Sequence, residues 1–372
     1  MYSEKYFLYC NNKDTVKSSR EYSLDFIKGI GILLVVLVHS KEFSAFPKVV
    51  EACMNAIMLN CFFVVSGYLV YSATGRKWSD VKQMIIKKWK SLIIPYISFS
   101  VLVILWHIII CVGWGNTEVS DQYFGWNLIF RDVFCMFSGI GIGTLWFLPV
   151  LFISYTILIV LVVGVINRKG KYSVVVAVIL FFIFAVAGQA VYYINYPENG
   201  MISTIISKYI KMIYRILNGT AYSIWGYTLH LLWCSMQKKR RRTALVGLAV
   251  LSCLGYFKGW KICFQSTICA VVLLFFTVLF DSSIREKMIK ICKPVIFCGQ
   301  NSLAIMIYHY LFLYPVEKTF IKIVFESTGN NVQEWILLVA NLLSTIAVVY
   351  WLKDNPVEQR LLGKEKSRYG TC

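Results

Sequence analysis

The chain has 372 residues, of which 58% are apolar and only 15% charged. A water-soluble domain of this length carries about a quarter charged residues, so these residues cannot cover a solvated surface. Lys and Arg outnumber Asp and Glu by 38 to 19. In a soluble protein that excess would point to nucleic acid; beside repeated long apolar runs it is a signal of membrane topology, and no nucleic-acid partner is expected.

The first twenty residues, up to Arg20, are polar and charged, and the first apolar run carries Asp25 and Lys28 with no small-residue cleavage pattern after it, so no cleaved signal peptide is expected. Crossing the roughly 30 Å hydrocarbon core takes about 18 or more apolar residues in a helix. Apolar length, bounded by charge clusters and by Pro, Gly and Asn breaks, predicts ten spans near 22–41, 50–72, 92–112, 145–166, 173–193, 209–235, 243–257, 262–280, 295–315 and 333–352. With the N-terminus cytoplasmic, alternate loops carry RKWSDVKQMIIKKWK (76–90), NRKGK (167–171), QKKRRR (237–242) and REKMIKICK (285–293). The C-tail adds Lys353, Arg360, Lys364, Lys366 and Arg368, while the opposite loops hold few cations, among them Lys41, Lys48, Arg131 and Lys258. The positive-inside rule then gives an even number of spans. The expected fold class is all-α, a polytopic integral membrane protein of about ten transmembrane helices with both termini cytoplasmic. Residues 1–21 form a cytoplasmic tail, 22–353 one membrane domain and 354–372 a second cytoplasmic tail; the expected setting is the bilayer of the cell membrane.

The longest polar-leaning segment is the outer loop at about 113–144, which contains GIGIG (139–143). This run follows no predicted strand and opens no βα unit, so it reads as flexible backbone rather than a phosphate cradle. Twelve cysteines show no C-x-x-C spacing. Most lie inside apolar runs, where a thiol acts as a small hydrophobe, and no metal is expected.

Ionisable groups inside a span cost several kcal/mol and mark function by default. In the first span, YSLDFIKGIGILLVVLVHS, Asp25, Lys28 and His39 fall on one helical face. Lys28 and His39 are about 16 Å apart along the axis, with the lysine towards the cytoplasm, which suits an elongated ligand lying along the helix. The same spacing also fits a surface ion pair plus an interfacial histidine. Asp25, about 21 Å from His39, is placed to orient or balance Lys28. Of the other histidines, His107 and His230 read as packed or interfacial, and His309 as either site-lining or packed.

The first span, NCFFVVSGYLV (60–70), KKWKSLIIPY (87–96), LWFLPVLF (145–152), SLAIMIYHY (302–310) and DNPVEQRLLG (354–363) resemble, in order, the acyltransferase 3 family. The resemblance covers essentially the whole chain. It implies an integral membrane enzyme that moves an acyl group, most often acetyl from acetyl-CoA, onto a hydroxyl of a surface or lipid-linked glycan. The family's basic residue ten positions before the first-helix histidine is usually Arg; here Lys28 stands before His39, which is more similar to the fucose O-acetylase branch. Lysine lacks the two-pronged phosphate contact of arginine.

His39 is then the expected general base, since acyl transfer to a hydroxyl needs its proton removed and imidazole titrates near neutral pH. Ser66, Gly67 and Tyr68 match the family's SGF/SGY turn and read either as site-lining or as a small-residue helix contact. Lys87, Lys88 and Lys90 read as a hold on the coenzyme A phosphates or as ordinary positive-inside charge. Trp146 lines an acceptor entrance or belongs to an interfacial aromatic belt. Lys208, Lys211 and Arg215 recur at helical spacing on the outer side against the charge rule, which calls for an anionic acceptor or for snorkelling to lipid phosphates. Acyl-CoA is the only expected cofactor-like partner, as the donor. The competing function is a secondary transporter or flippase of a polar substrate.

Overall fold

Proline-free and largely apolar, Tyr22–Ser40 forms the first helix, α1. It is followed by α2 (Lys48–Ile57), α3 (Asn60–Leu69), α4 (Trp78–Trp114), a hairpin of β1 (Thr117–Val119) and β2 (Gln122–Phe124), α5 (Trp126–Phe137), α6 (Phe147–Leu161) and α7 (Ser173–Tyr192). The second half holds α8 (Met201–Ser235), α9 (Lys238–Phe257), α10 (Lys261–Phe280), α11 (Arg285–Ile291), α12 (Lys293–Gln300), α13 (Ser302–Tyr308), α14 (Tyr314–Val324), α15 (Asn330–Leu352) and α16 (Pro356–Leu361). These elements come from a computed structural model that describes residues 22–40, 46–70, 78–114, 117–119, 122–124, 126–194, 201–280, 282–325 and 330–363. The N-tail, Lys41 and the C-tail cations Lys364, Lys366 and Arg368 lie outside the described residues.

Among the described residues, six helical stretches are long and apolar enough to cross a bilayer: Tyr22–His39, Lys48–Leu69, Trp78–Val112, Gly143–Tyr192, Lys261–Phe280 and Val332–Leu352. A seventh results if Lys293–Gln300 and Ser302–Lys322, bent by 75°, count as one. Gly143–Tyr192 is interrupted at Gly170, whose φ of 51° and ψ of −116° leave the helical region. The chain is thus an all-α multi-pass membrane protein, with one small hairpin among the described residues. α1 runs through the middle, against α3, α10, α12, α13 and α15. Gly29 of α1 and Gly299 of α12 let the two backbones meet, since a Cβ on Gly299 would overlap the Asp25 carbonyl.

Several boundaries differ from the sequence reading, for a common reason. The basic segments at 76–90, 237–242 and 285–293 were expected as loops, yet each is largely helical in α4, α9 and α11. Lysine and arginine are good helix formers, so a charge cluster ends the apolar stretch without ending the helix. The span at 50–72 is two helices broken at Met58–Leu59, and SGY lies within α3 rather than in a turn. The span at 295–315 bends at Asn301 and widens at His309–Leu313 into a π-helical turn.

The outer loop is also more ordered than its composition predicts. Amphipathic α5 docks on α4 through buried Asp132, whose Oδ2 lies 2.7 Å from His107 Nδ1, while Arg131 Nη2 is 3.1 Å from Oδ1. His107 is therefore packed, as expected, and its partner is a buried carboxylate. His107→Ala should leave that carboxylate with only Arg131 and lower stability by about 3 kcal/mol. Thermal unfolding in detergent checks this; an unchanged melting temperature would show that the pair is dispensable.

Candidate functional site

Asp25 and Lys28 sit one turn apart on α1, and Lys28 Nζ is 2.7 Å from Asp25 Oδ1. The carboxylate is buried and the ammonium is about a quarter exposed. Lys88, half-buried on α4, lies over the Tyr155 ring at 4.8 Å and is near enough to Lys28 for their charges to interact. Lys87 and Lys90 are exposed on the other sides of α4. One end of α1 thus gathers two of the four predicted donor-side lysines, Lys28 and Lys88, beside a buried acid.

The other end of α1 carries His39. Its ring centroid is 5.4 Å from that of His309 and 4.4 Å from that of Tyr310. His309 is fully buried, and its Nδ1 donates to the Ile305 carbonyl oxygen at 2.7 Å. A neutral ring bonded in this way leaves Nε2 as an acceptor, and Nε2 has no hydrogen-bond partner among the described residues. The wide turn beginning at His309 loosens the local backbone ladder, and the Asn341 Nδ2 donates to the His309 carbonyl oxygen at 2.9 Å. The same amide donates to Glu317 Oε2 at 2.9 Å, and Ser344 Oγ donates to Glu317 Oε1 at 2.5 Å. Asn341, Ser344 and Glu317 thereby fix the turn that holds His309.

GIGIG is correspondingly tight, which corrects its reading as flexible backbone. Gly139, Gly141 and Gly143 have φ of 74°, 84° and 50°, and a Cβ on Gly143 would meet the Leu311 side chain. Residues with side chains rarely adopt positive φ, so the alternate glycines allow this turn to close against the His309–Leu313 segment. Thr144 Oγ1 then donates to the Met306 carbonyl oxygen at 3.2 Å, which sets Trp146 beside the histidine pair's supporting turn.

Trp146 faces a cavity of about 420 Å³. The Arg215 guanidinium lies 3.8 Å from its ring centroid, so two residues singled out in the sequence meet across the α6–α8 packing. Lys211 is exposed one turn away. By contrast, Gly67 is a helix contact: a Cβ there would overlap Ser223 of α8, and one on Gly226 would overlap Val64 of α3. Ser66 is buried within the same helix pair, and the Tyr68 ring lies 4.3 Å from that of His230 with the planes tilted by 58°.

The motif segments converge. Tyr308 donates to Glu358 Oε2 at 2.6 Å, tying SLAIMIYHY to the closing segment, and Gly363 of that segment packs on the Lys90 backbone. Asn341, Glu317 and Tyr310 were not singled out in the sequence. Asn341 had a signal, a buried polar residue in the apolar run NLLSTIAVVY.

A family model described as an acyltransferase domain, that of acyltransferase 3, matches residues 21–354. No curated protein and no solved structure matches the chain.

Proposed function

We propose that this chain, which belongs to the acyltransferase 3 family and is a membrane acyltransferase, transfers acetyl or another short acyl group from acyl-CoA to a hydroxyl of a cell-surface or lipid-linked glycan. The observation that carries this reading is the arrangement of α1: a cationic end at Lys28 and Lys88, and about 16 Å further along the axis a histidine pair, partly buried His39 beside fully buried His309. The donor's phosphates belong at the lysine end, and its thioester reaches towards His39. His39 takes the proton of the acceptor hydroxyl as the oxygen attacks the thioester carbonyl. The tetrahedral intermediate collapses with loss of the coenzyme A thiolate, which recovers that proton from the imidazolium, giving ester and free thiol. His309, with Nδ1 engaged and Nε2 open, is a positioning residue for His39. Asp25 balances Lys28 and takes no part in proton transfer.

This reading keeps ten spans with both termini cytoplasmic in a cell membrane and a donor on the inner side, adds an acceptor on the outer side, and retains the fucose O-acetylase-like branch on the strength of Lys28. Membrane vesicles bearing reporters fused after Arg242 and after the C-tail should report cytoplasm, and one near Asn116 the outside. An external C-tail would overturn the even span count. The activity itself is tested with purified protein in nanodiscs, radiolabelled acetyl-CoA and bacterial surface glycans; label must pass to the glycan in an alkali-labile ester. Transport of the glycan with no ester formed would favour the flippase alternative.

A further inference from the structure

We infer that the cavity beside Trp146 binds an anionic acceptor, recognising a negative charge on the saccharide rather than the sugar alone. This deepens the glycan-acceptor reading above and rests on it. Two cations line the cavity, Arg215 and Lys261. Each lies over an aromatic ring, Arg215 at 3.8 Å over Trp146 and Lys261 at 5.1 Å over Tyr192. Among the described residues neither is ion-paired, and no Asp or Glu lines the cavity. The remaining polar lining includes the amides of Asn55, Asn218 and Gln265, groups suited to sugar hydroxyls.

A half-buried guanidinium with no counter-ion among the described residues is held at a cost unless an anion arrives. Stacking on an indole keeps its in-plane N–H donors available, and these match the planar oxygens of a carboxylate or the oxygens of a phosphate. The cavity is joined to the proposed catalytic centre through Gly143–Trp146, which packs on the His309–Leu313 turn. The anion is therefore either the phosphate of a lipid-linked saccharide or the carboxylate of an acidic sugar; both present the same chemistry to Arg215.

Binding to the full chain in nanodiscs of zwitterionic lipid, measured without acyl-CoA, tests this with three probes: polyprenyl-diphosphate-linked N-acetylglucosamine, tetragalacturonate and maltotetraose. At least one anionic probe should bind about tenfold or more tighter than maltotetraose, the factor expected of one charge-assisted hydrogen bond. Which of the two does so identifies the source of the charge. The preference should shrink as sodium chloride rises, which needs no variant. Lys261→Gln, at an exposed position, should weaken the anionic probe and leave maltotetraose unchanged, Arg215→Lys should keep most of the preference and Arg215→Gln should lose it. Equal binding of all three probes, or a preference indifferent to salt and to both glutamine variants, overturns the inference. Because no acyl transfer is read, that result leaves the acyltransferase reading standing, whereas absence of ester formation with the anionic preference intact removes that reading alone.

Discussion

His39→Ala should abolish transfer of acetyl to the glycan while the protein still inserts at normal abundance. General-base catalysis supplies roughly 10² to 10⁴ in rate, so the residual activity falls near or below detection. The structure makes the variant tolerable, because His39 stands in the last turn of α1 and is only partly buried. The wild-type rate should fall as pH drops through the histidine range, since only the neutral ring accepts a proton. That acid limb should vanish in whatever activity His39→Gln retains. A folded His39→Ala protein with near-normal turnover in reconstituted membranes would sink the mechanism and favour the transporter alternative. His309→Phe provides a second reading of the same centre: it removes the acceptor nitrogen but keeps a ring, and a positioning role predicts a lower kcat and a displaced acid limb with the donor KM unchanged.

The first helix was legible because its signal is local. Asp25, Lys28 and His39 stand at helical spacing inside an apolar run, and lipid makes each of them conspicuous. The pairing of His39 with His309 was not legible, because it depends on a bend at Asn301 and a wide turn at His309 that bring a distant segment back to the end of α1. Asn341 is less conspicuous because its amide is uncharged, although a buried amide among apolar neighbours obeys the same rule. SGY left two readings open, site-lining or helix contact, and at Gly67 the backbone contact with Ser223 favours the second. The cavity beside Trp146 was half visible: Arg215 stood out as an unexpected cation, whereas Lys261 joins it only through the fold, where α10 places it over Tyr192.

Lys28→Gln should raise the donor KM by about tenfold or more, the worth of one lost charge-assisted contact, while kcat at saturating acyl-CoA changes little. The structural difficulty is that Lys28 also neutralises buried Asp25, so losing it leaves a carboxylate uncompensated and costs stability. Pairing the change with Asp25→Asn separates the two effects. If Lys28 serves only its neighbour, the double variant recovers both abundance and donor affinity. If Lys28 also holds a phosphate of the donor, abundance recovers and the raised KM remains. Lys28→Arg should keep or improve donor use, because a guanidinium still pairs with Asp25 and adds a planar fork for phosphate. Lys88→Gln, on the neighbouring helix, should raise the donor KM further and leave acceptor KM alone, whereas exposed Lys87→Gln should have the smaller effect. A double variant with full abundance and an unchanged donor KM would assign the Asp25–Lys28 pair to folding alone and move the donor's phosphate contacts elsewhere.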